Sequence, residues 1–431
     1  MSRVIRGWEA GEKYQNLFKK FQTGLQLWCR TGKEPEAGNE DVRYYLDLQE
    51  KRRKEHDLEI KIKIEPEGAV YSSHNVTASI GIPGYHSLSK FNQSTYYQQI
   101  NQETEYKRKD KTVYKKKVYH IQYQTIIDPE EGQENVGSIS YLCPNCGSIS
   151  TVNTLKEKGC PFCGTRYLMK DLFPKVTNFY CIDAGGMSNK QFSNMKRNLF
   201  IGGIIVSSIN TGLNYFIKGD LTLAYALVML ILGVPLFMFF LYFIYSIFLL
   251  FRLILKAGKA LTFVSWISGS KKLITKTLKK YDPSFDYEYF EGKALALARI
   301  IMFSKEPQEF VQYEGPDISR KFEDVIDMKY RGGFSISSIQ KKEDKIKVSL
   351  KLFLTNTIDT GDQLKDKDQT VKIDMYHHIE FPIDKAFSIL KVECPSCGGS
   401  FDAGKQKYCP YCKRKFDAGM KDWIVTRIER K

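Results

Sequence analysis

Four Cys-x-x-Cys pairs constrain this chain more than any other feature. They form two sets: "CPNCGSISTVNTLKEKGCPFCG", with Cys143, Cys146, Cys160 and Cys163, and "CPSCGGSFDAGKQKYCPYCK", with Cys394, Cys397, Cys409 and Cys412. Thirteen residues separate the pairs of the first set and eleven those of the second. Such spacers let two hairpin knuckles meet so that four thiolates enclose one ion, and zinc accepts that closed tetrahedron at ~2.3 Å per sulfur. A proline after the first cysteine stiffens each knuckle. Gly147, Gly164 and Gly398 after the second cysteine let backbone amides turn toward sulfur, whereas Lys413 takes that place in the last knuckle. Two structural zinc ions are expected, with iron or a redox dithiol as the competing readings. Metal catalysis is not expected, because four cysteines leave no open coordination position. Cys29 and Cys181 are left over; Cys181, in the apolar "NFYCI", reads as a packed thiol rather than a nucleophile.

Ten cysteines in 431 residues do not resemble a disulfide-dense secreted module, and free thiols imply a reducing compartment. The start, "MSRVIRGWEAGEKYQNLFKKF", has no apolar core of a secretory signal, so none is expected to be cleaved. The chain carries a formal +16, spread as +7 over 1–198, +1 over 199–255 and +8 over 256–431. A basic balance suits an anionic partner, a lipid surface or nucleic acid, without choosing between them.

Two uncharged runs set the next expectation. Residues 199–217 ("LFIGGIIVSSINTGLNYFI") and 221–251 ("LTLAYALVMLILGVPLFMFFLYFIYSIFLLF") read as a transmembrane hairpin within 199–255. A buried core helix is the alternative for the second run, and a re-entrant segment for the first. Gly203, Ser207 and Thr211 put small side chains on one helix face, a pattern that lets two helices approach closely. Lys190, Lys196 and Arg197 precede the hairpin and Arg252, Lys256 and Lys259 follow it. The positive-inside rule then gives a multi-pass plasma-membrane protein with both termini cytoplasmic.

Residues 256–281 read as a basic amphipathic juxtamembrane helix. Leu273, Ile274, Thr277, Leu278 and Tyr281 share one face. Lys256, Lys259, Lys271, Lys272, Lys276, Lys279 and Lys280 are the expected contacts with an anionic bilayer surface. Ordinary positive-inside flanking explains the same lysines. Upstream, 1–56 reads as a helical segment and 57–185 as a β-rich domain holding the first ribbon (143–163). The Ser/Gln/Asn/Tyr-rich stretch 72–105 suggests a long loop. Tyrosines among the lysines of 106–123 could stack bases, though such a strand is more often simply amphipathic.

Downstream, Asp282 or Ser284 can cap a helix whose buried stripe is Phe290, Ala294, Leu297 and Ile301. A second helix is expected over "DISRKFEDVIDMKY". Strands follow: every even residue from Ile346 to Leu354 is apolar, and Val371, Ile373 and Met375 alternate. The match of "YDPSFDYEYFEGKALALARIIMF", the long alternating strands and the closing "DWIVTRIER" resembles the Tim-forty-four-like family, the C-terminal domain of the mitochondrial import-motor tether. That resemblance implies, for 282–431, a cone-shaped α+β domain of the nuclear-transport-factor type; the second ribbon (394–412) departs from the family's pattern and is expected to be inserted at the tip of its last hairpin. The ribbons and internal hairpin point to a bacterial relative.

The expected fold class is therefore an α+β membrane protein with a two-helix transmembrane hairpin, a cone-shaped C-terminal domain and two four-cysteine zinc ribbons. The expected role is a non-enzymatic scaffold or tether that docks a protein partner or lipid at the cytoplasmic face, with protein translocation as one setting. A membrane-anchored ribosome- or RNA-binding protein is the alternative, and an enzyme using the cone's pocket a third reading. For that enzyme His377 and His378 are the only candidates, with no carboxylate partner identifiable.

Overall fold

In the computed structural model of the chain, the described residues are 8–80, 89–129, 138, 140–143, 146, 148–168, 174–183, 189–218, 227–228, 231–247, 271–281, 285, 287–379, 391–394, 396–401, 405–415 and 423–430. The chain forms two compact units, Met1–Ala184 with Gly269–Lys431, and Gly185–Ser268.

The first unit opens with two helices. Helix α1 (Glu12–Thr31) buries Phe18, Phe21, Leu25 and Trp28, spaced three or four residues apart as one helical face requires. Gly32 ends it in the left-handed region at φ 74°. Helix α2 (Glu40–Glu55) is capped by Asn39, whose side chain accepts from the Val42 amide. Acidic Glu40 and Asp41 in its first turn and basic Arg52, Arg53 and Lys54 in its last complement the helix dipole. Strands β1 (Glu59–Ile80), β2 (Ser89–Arg108) and β3 (Lys111–Pro129) then run as an antiparallel meander. The small elements β4 (Ser140–Leu142), β5 (Ile149–Thr151), α3 (Val152–Glu157) and β6 (Tyr167–Leu168) surround the first cysteine set. Strand β7 (Lys175–Asp183) returns to pair with β3, giving the sheet order β1-β2-β3-β7.

The second half begins with helix 271–278. Helix α5 (Tyr287–Phe303) follows, its Phe290, Ala294, Leu297 and Ile301 all buried. Strands β8 (Val325–Lys342), β9 (Lys345–Asp359) and β10 (Leu364–His378) form a second meander. After β11 (Lys391–Glu393), β12 (Ser400–Phe401) and the second cysteine set, β13 (Ile424–Arg430) pairs with β10, giving the order β8-β9-β10-β13. The even residues Ile346 to Leu354 are buried, as their alternation requires.

The two halves repeat one plan: helices, a three-stranded meander, a four-cysteine element, then a fourth strand on the meander's last one. The likeness extends to single hydrogen bonds. The Val176 amide donates to the Ala37 carbonyl and the Asn39 amide to the Val176 carbonyl, at 2.8 and 2.9 Å. In the second half the Val425 amide donates to the Gln312 carbonyl and the Glu314 amide to the Val425 carbonyl, at 2.9 and 2.8 Å. Both fourth strands bulge at the next residue, between the pairs Ile126–Val176 and Thr125–Asn178 and between Met375–Val425 and Asp374–Arg427. The extra residue is a threonine each time: Thr177 donates to the Thr125 carbonyl (3.3 Å) and Thr426 to the Asp374 carbonyl (3.2 Å).

The halves share one core. Arg52, 3% exposed, reaches from α2 into the second half and donates to the carbonyls of Phe322, Glu323 and Val325 and of Met302 and Phe303 at 2.5–3.4 Å. It thereby satisfies two of the carbonyls that the end of α5 leaves open. Where β7 meets β8, Gly332 (φ 80°) leaves room for the Ile182 side chain, which any Cβ there would strike.

Several expectations are corrected here. Among the described residues no helix is long and apolar enough to cross a membrane. This overturns the transmembrane hairpin at 199–217 and 221–251 and the multi-pass plasma-membrane placement built on it. Helix α4 (Asn189–Lys218) is long, but Lys190, Lys196 and Arg197 occupy its first turns and Ser207, Ser208, Asn210, Thr211 and Asn214 interrupt its apolar run. Helix 231–247 is described over seventeen residues. Residues 221–226, 229–230 and 248–251, with Lys256 and Lys259, lie outside the described residues. The two helices do pack closely: at Gly203 a Cβ would lie 3.1 Å from the Val234 carbonyl oxygen, and Gly233 faces Ser207.

The amphipathic helix is corrected as well. Of its apolar face, Ile274 and Leu278 are buried in the core rather than turned toward lipid, while Leu273 stays exposed. Lys271 donates to Glu288 at 2.6 Å and lies over the Tyr287 ring; Lys272 and Lys276 stay on the outer side of the helix, and Lys279 and Lys280 lie in the turn after it. Of the expected loop at 72–105, residues 72–80 are the end of β1 and 89–105 most of β2, while 81–88 lie outside the described residues; "DISRKFEDVIDMKY" is a 3-10 turn (Ser319–Phe322) followed by β8. The proposed caps Asp282 and Ser284 lie outside the described residues.

Candidate metal centres

Each cysteine set converges. The ligand atoms of Cys143, Cys146, Cys160 and Cys163, and those of Cys394, Cys397, Cys409 and Cys412, lie within 4.8 Å of one another in each group. The sulfurs of Cys143 and Cys163 are 3.6 Å apart and those of Cys146 and Cys160 3.7 Å. In the second set Cys394–Cys412 and Cys397–Cys409 give the same 3.6 and 3.7 Å. A tetrahedron with arms of ~2.3 Å has edges of about 3.8 Å, so both sets fit a metal ion with four thiolates.

The knuckles that aim these sulfurs are alike. The Cys160 amide donates to the Thr165 carbonyl and the Gly164 amide to the Cys160 carbonyl, at 2.8 and 2.9 Å. In the second ribbon Cys409 and Arg414, then Lys413 and Cys409, repeat both bonds at 2.9 Å. Gly164 and Gly398 sit at φ 70° and 71°, and Lys413 at 59°, so the lysine that departs from the glycine pattern adopts the same left-handed turn. Burial pushes the Cys160 thiol up, but the Ser148 hydroxyl and the amides of Cys163 and Phe162 outweigh it and hold the thiol down at about 6. A thiol so placed is ready to ionise and bind metal.

The two centres are joined through the backbone. Strand β11 pairs on one side with β12 and on the other with β6, so the ribbons share one three-stranded antiparallel sheet, β12-β11-β6. Tyr167 lies opposite Val392 and Leu168 opposite Lys391. Lys405 ties the second ribbon to α2 through Glu40 at 2.7 Å, and the Lys407 amide donates to the Glu309 carbonyl at 3.0 Å.

Other polar groups are drawn into internal contacts. Lys115 pairs with Glu103 (3.1 Å) and Lys116 with Asp366 (2.7 Å), while Tyr106 is fully buried. His378 does have a carboxylate partner, which sequence reasoning missed: its Nδ1 lies 2.6 Å from Asp344, in the β8–β9 turn. His377 packs against Trp423, ring centroids 5.5 Å apart. Tyrosines 71, 97, 123, 180 and 330 contact in sequence across five strands, centroids 5.1–5.8 Å apart. Tyr330 ends the row by donating to Glu291 at 2.7 Å. Burial pushes Cys29 and Cys181 up to about 12, which leaves both as protonated thiols at neutral pH. Comparison with family models, curated proteins and solved structures finds no match for the chain.

Proposed function

We propose that the chain is a non-enzymatic docking scaffold for a macromolecular partner, with one structural zinc ion in each four-cysteine centre. The observation behind this reading is the union of the two closed centres in the β12-β11-β6 sheet. Four thiolates at tetrahedral spacing favour zinc and leave no position for a substrate or activated water. Such centres fix a shape; they do not perform chemistry. The His378–Asp344 pair reads as a bond that holds the end of β10 to the β8–β9 turn. The resemblance to the Tim-forty-four-like family, whose members tether other proteins, supports a docking role.

The test is affinity capture with the metal-loaded full chain beside a Cys146→Ser/Cys397→Ser double variant. Partners retained by the loaded chain and lost by the variant support a metal-shaped docking surface. Identical recoveries from both, or none from either, contradict it.

A further inference from the structure

The knuckle tips of the two ribbons carry an unexpected pair of side chains. Phe162 is 71% exposed and Tyr411 69% exposed, in a unit where most aromatic rings are buried. They hold the same place in each ribbon, between proline and the last cysteine, in "CPFC" and "CPYC". Scattered exposed aromatics need no explanation, but the same exposed position in both repeats is a patterned feature. Neither ring contributes to the core or to the sulfur cage.

Their settings share two further properties. The first is charge. Residues 138–170 hold four basic side chains against one acidic, and 391–415 hold six against two. Lys158 and Arg166 in the first ribbon, and Lys413 and Arg414 in the second, are exposed near the tips in sequence. The second is rigidity. Each tip is held by paired knuckle hydrogen bonds, and Tyr411 also lies against Gly399, where any side chain would strike its ring. Because β6 and β12 flank β11 in one sheet, with neighbouring strands ~4.8 Å apart, the two ribbons are joined through their strands.

We propose that Phe162 and Tyr411 are base-stacking platforms for a single strand of nucleic acid, whose phosphates the surrounding lysines and arginines neutralise. This rests on the docking reading above and names its partner class. A flat, exposed ring accepts any base on its face, and the cations track the backbone without reading sequence. A duplex hides its base faces and cannot use the rings.

The test measures fluorescence anisotropy of labelled oligouridine, oligodeoxythymidine and a duplex, each roughly ten nucleotides long, with the metal-loaded full chain. Expected is binding of one or both single strands, weaker binding of the duplex, and affinity that falls steeply with salt. Preference for oligouridine identifies RNA as the source; equal affinity identifies single strands in general. Phe162→Ala and Tyr411→Ala should each weaken binding about tenfold, while Phe162→Trp and Tyr411→Trp retain it. Unchanged metal content in the variants shows that the ribbons remain folded. Absence of single-strand binding, duplex binding as tight as single-strand binding, or a Phe162→Ala/Tyr411→Ala double variant that binds like the parent would overturn the proposal. If metal-dependent capture of a protein partner persists in that case, the scaffold reading stands and only the nucleic-acid site is lost.

Discussion

Arg52 and Glu291 show how single side chains set the energetics of the shared core. The Arg52 guanidinium serves five backbone carbonyls of the other half while 3% exposed. Removing it leaves those acceptors without their donor inside the core, so Arg52→Met should lower stability by about 3 kcal/mol, read as a fall in the urea midpoint. Arg52→Lys should recover less than half, because an ammonium cannot span both carbonyl groups. Glu291 behaves differently. Burial pushes its carboxyl up to about 7 and Glu288 adds to this, against the opposing pull of the Tyr330 hydroxyl and Lys271. The folded state thus holds this proton more tightly than the unfolded chain. The resulting stability is present in full below the ordinary glutamate range near 4.5 and is lost as pH rises through about 7. Glu291→Gln should remove that dependence, so its midpoint should gain on the parent's between pH of about 5 and about 8. A constant difference across the window would contradict the assignment. Neither role was legible in the sequence: Arg52 stands in "EKRRKEH", which reads as a solvated charged face, and only tertiary packing buries it.

At the scale of elements, period-two alternation located β9 and the buried face of β10, because their inner faces are apolar from Ile346 to Leu354 and from Val371 to Met375, beyond which the buried Asn356 donates to Gln369 at 2.7 Å. The stretch 72–105 misled because polar and tyrosine-rich residues line both faces of β2. The side chains of Gln98 in β2 and Gln122 in β3 are instead satisfied by Gln22 of α1, at 3.1 and 2.7 Å. Helix 271–278 shows the converse limit. Its apolar face was visible, but what that face meets is a tertiary fact, and Ile274 and Leu278 meet protein core. The ribbons were the most legible elements, since four thiolates at one point demand their spacing. What spacing could not show is the β6–β11 pairing between them. That pairing predicts communication between the centres. Cys412→Ser should abolish one metal site and also make the remaining ion exchange faster with a chelator than it does in the parent. An unchanged release rate would mean that the ribbons act independently.

For the molecule as a whole, the repeat explains why the cysteine sets recur. Each ribbon joins the third strand of a meander to its fourth, and β7 and β13 start at the same distance past Cys163 and Cys412. A signal for this was present in the sequence: each last cysteine precedes, by the same interval, a Val-Thr pair, Val176–Thr177 and Val425–Thr426. The helices of the two halves differ too much for the eye to extend that match, and the strong uncharged runs at 199–217 and 221–251 drew the boundaries elsewhere. Two metal-clasped repeats whose clasps are fused make up the first unit. Native mass spectrometry of the full chain, purified without added metal, tests that claim most directly. Expected is a folded species heavier than the polypeptide by two zinc ions; a folded chain of bare polypeptide mass, or one carrying iron, would contradict the two-clasp architecture.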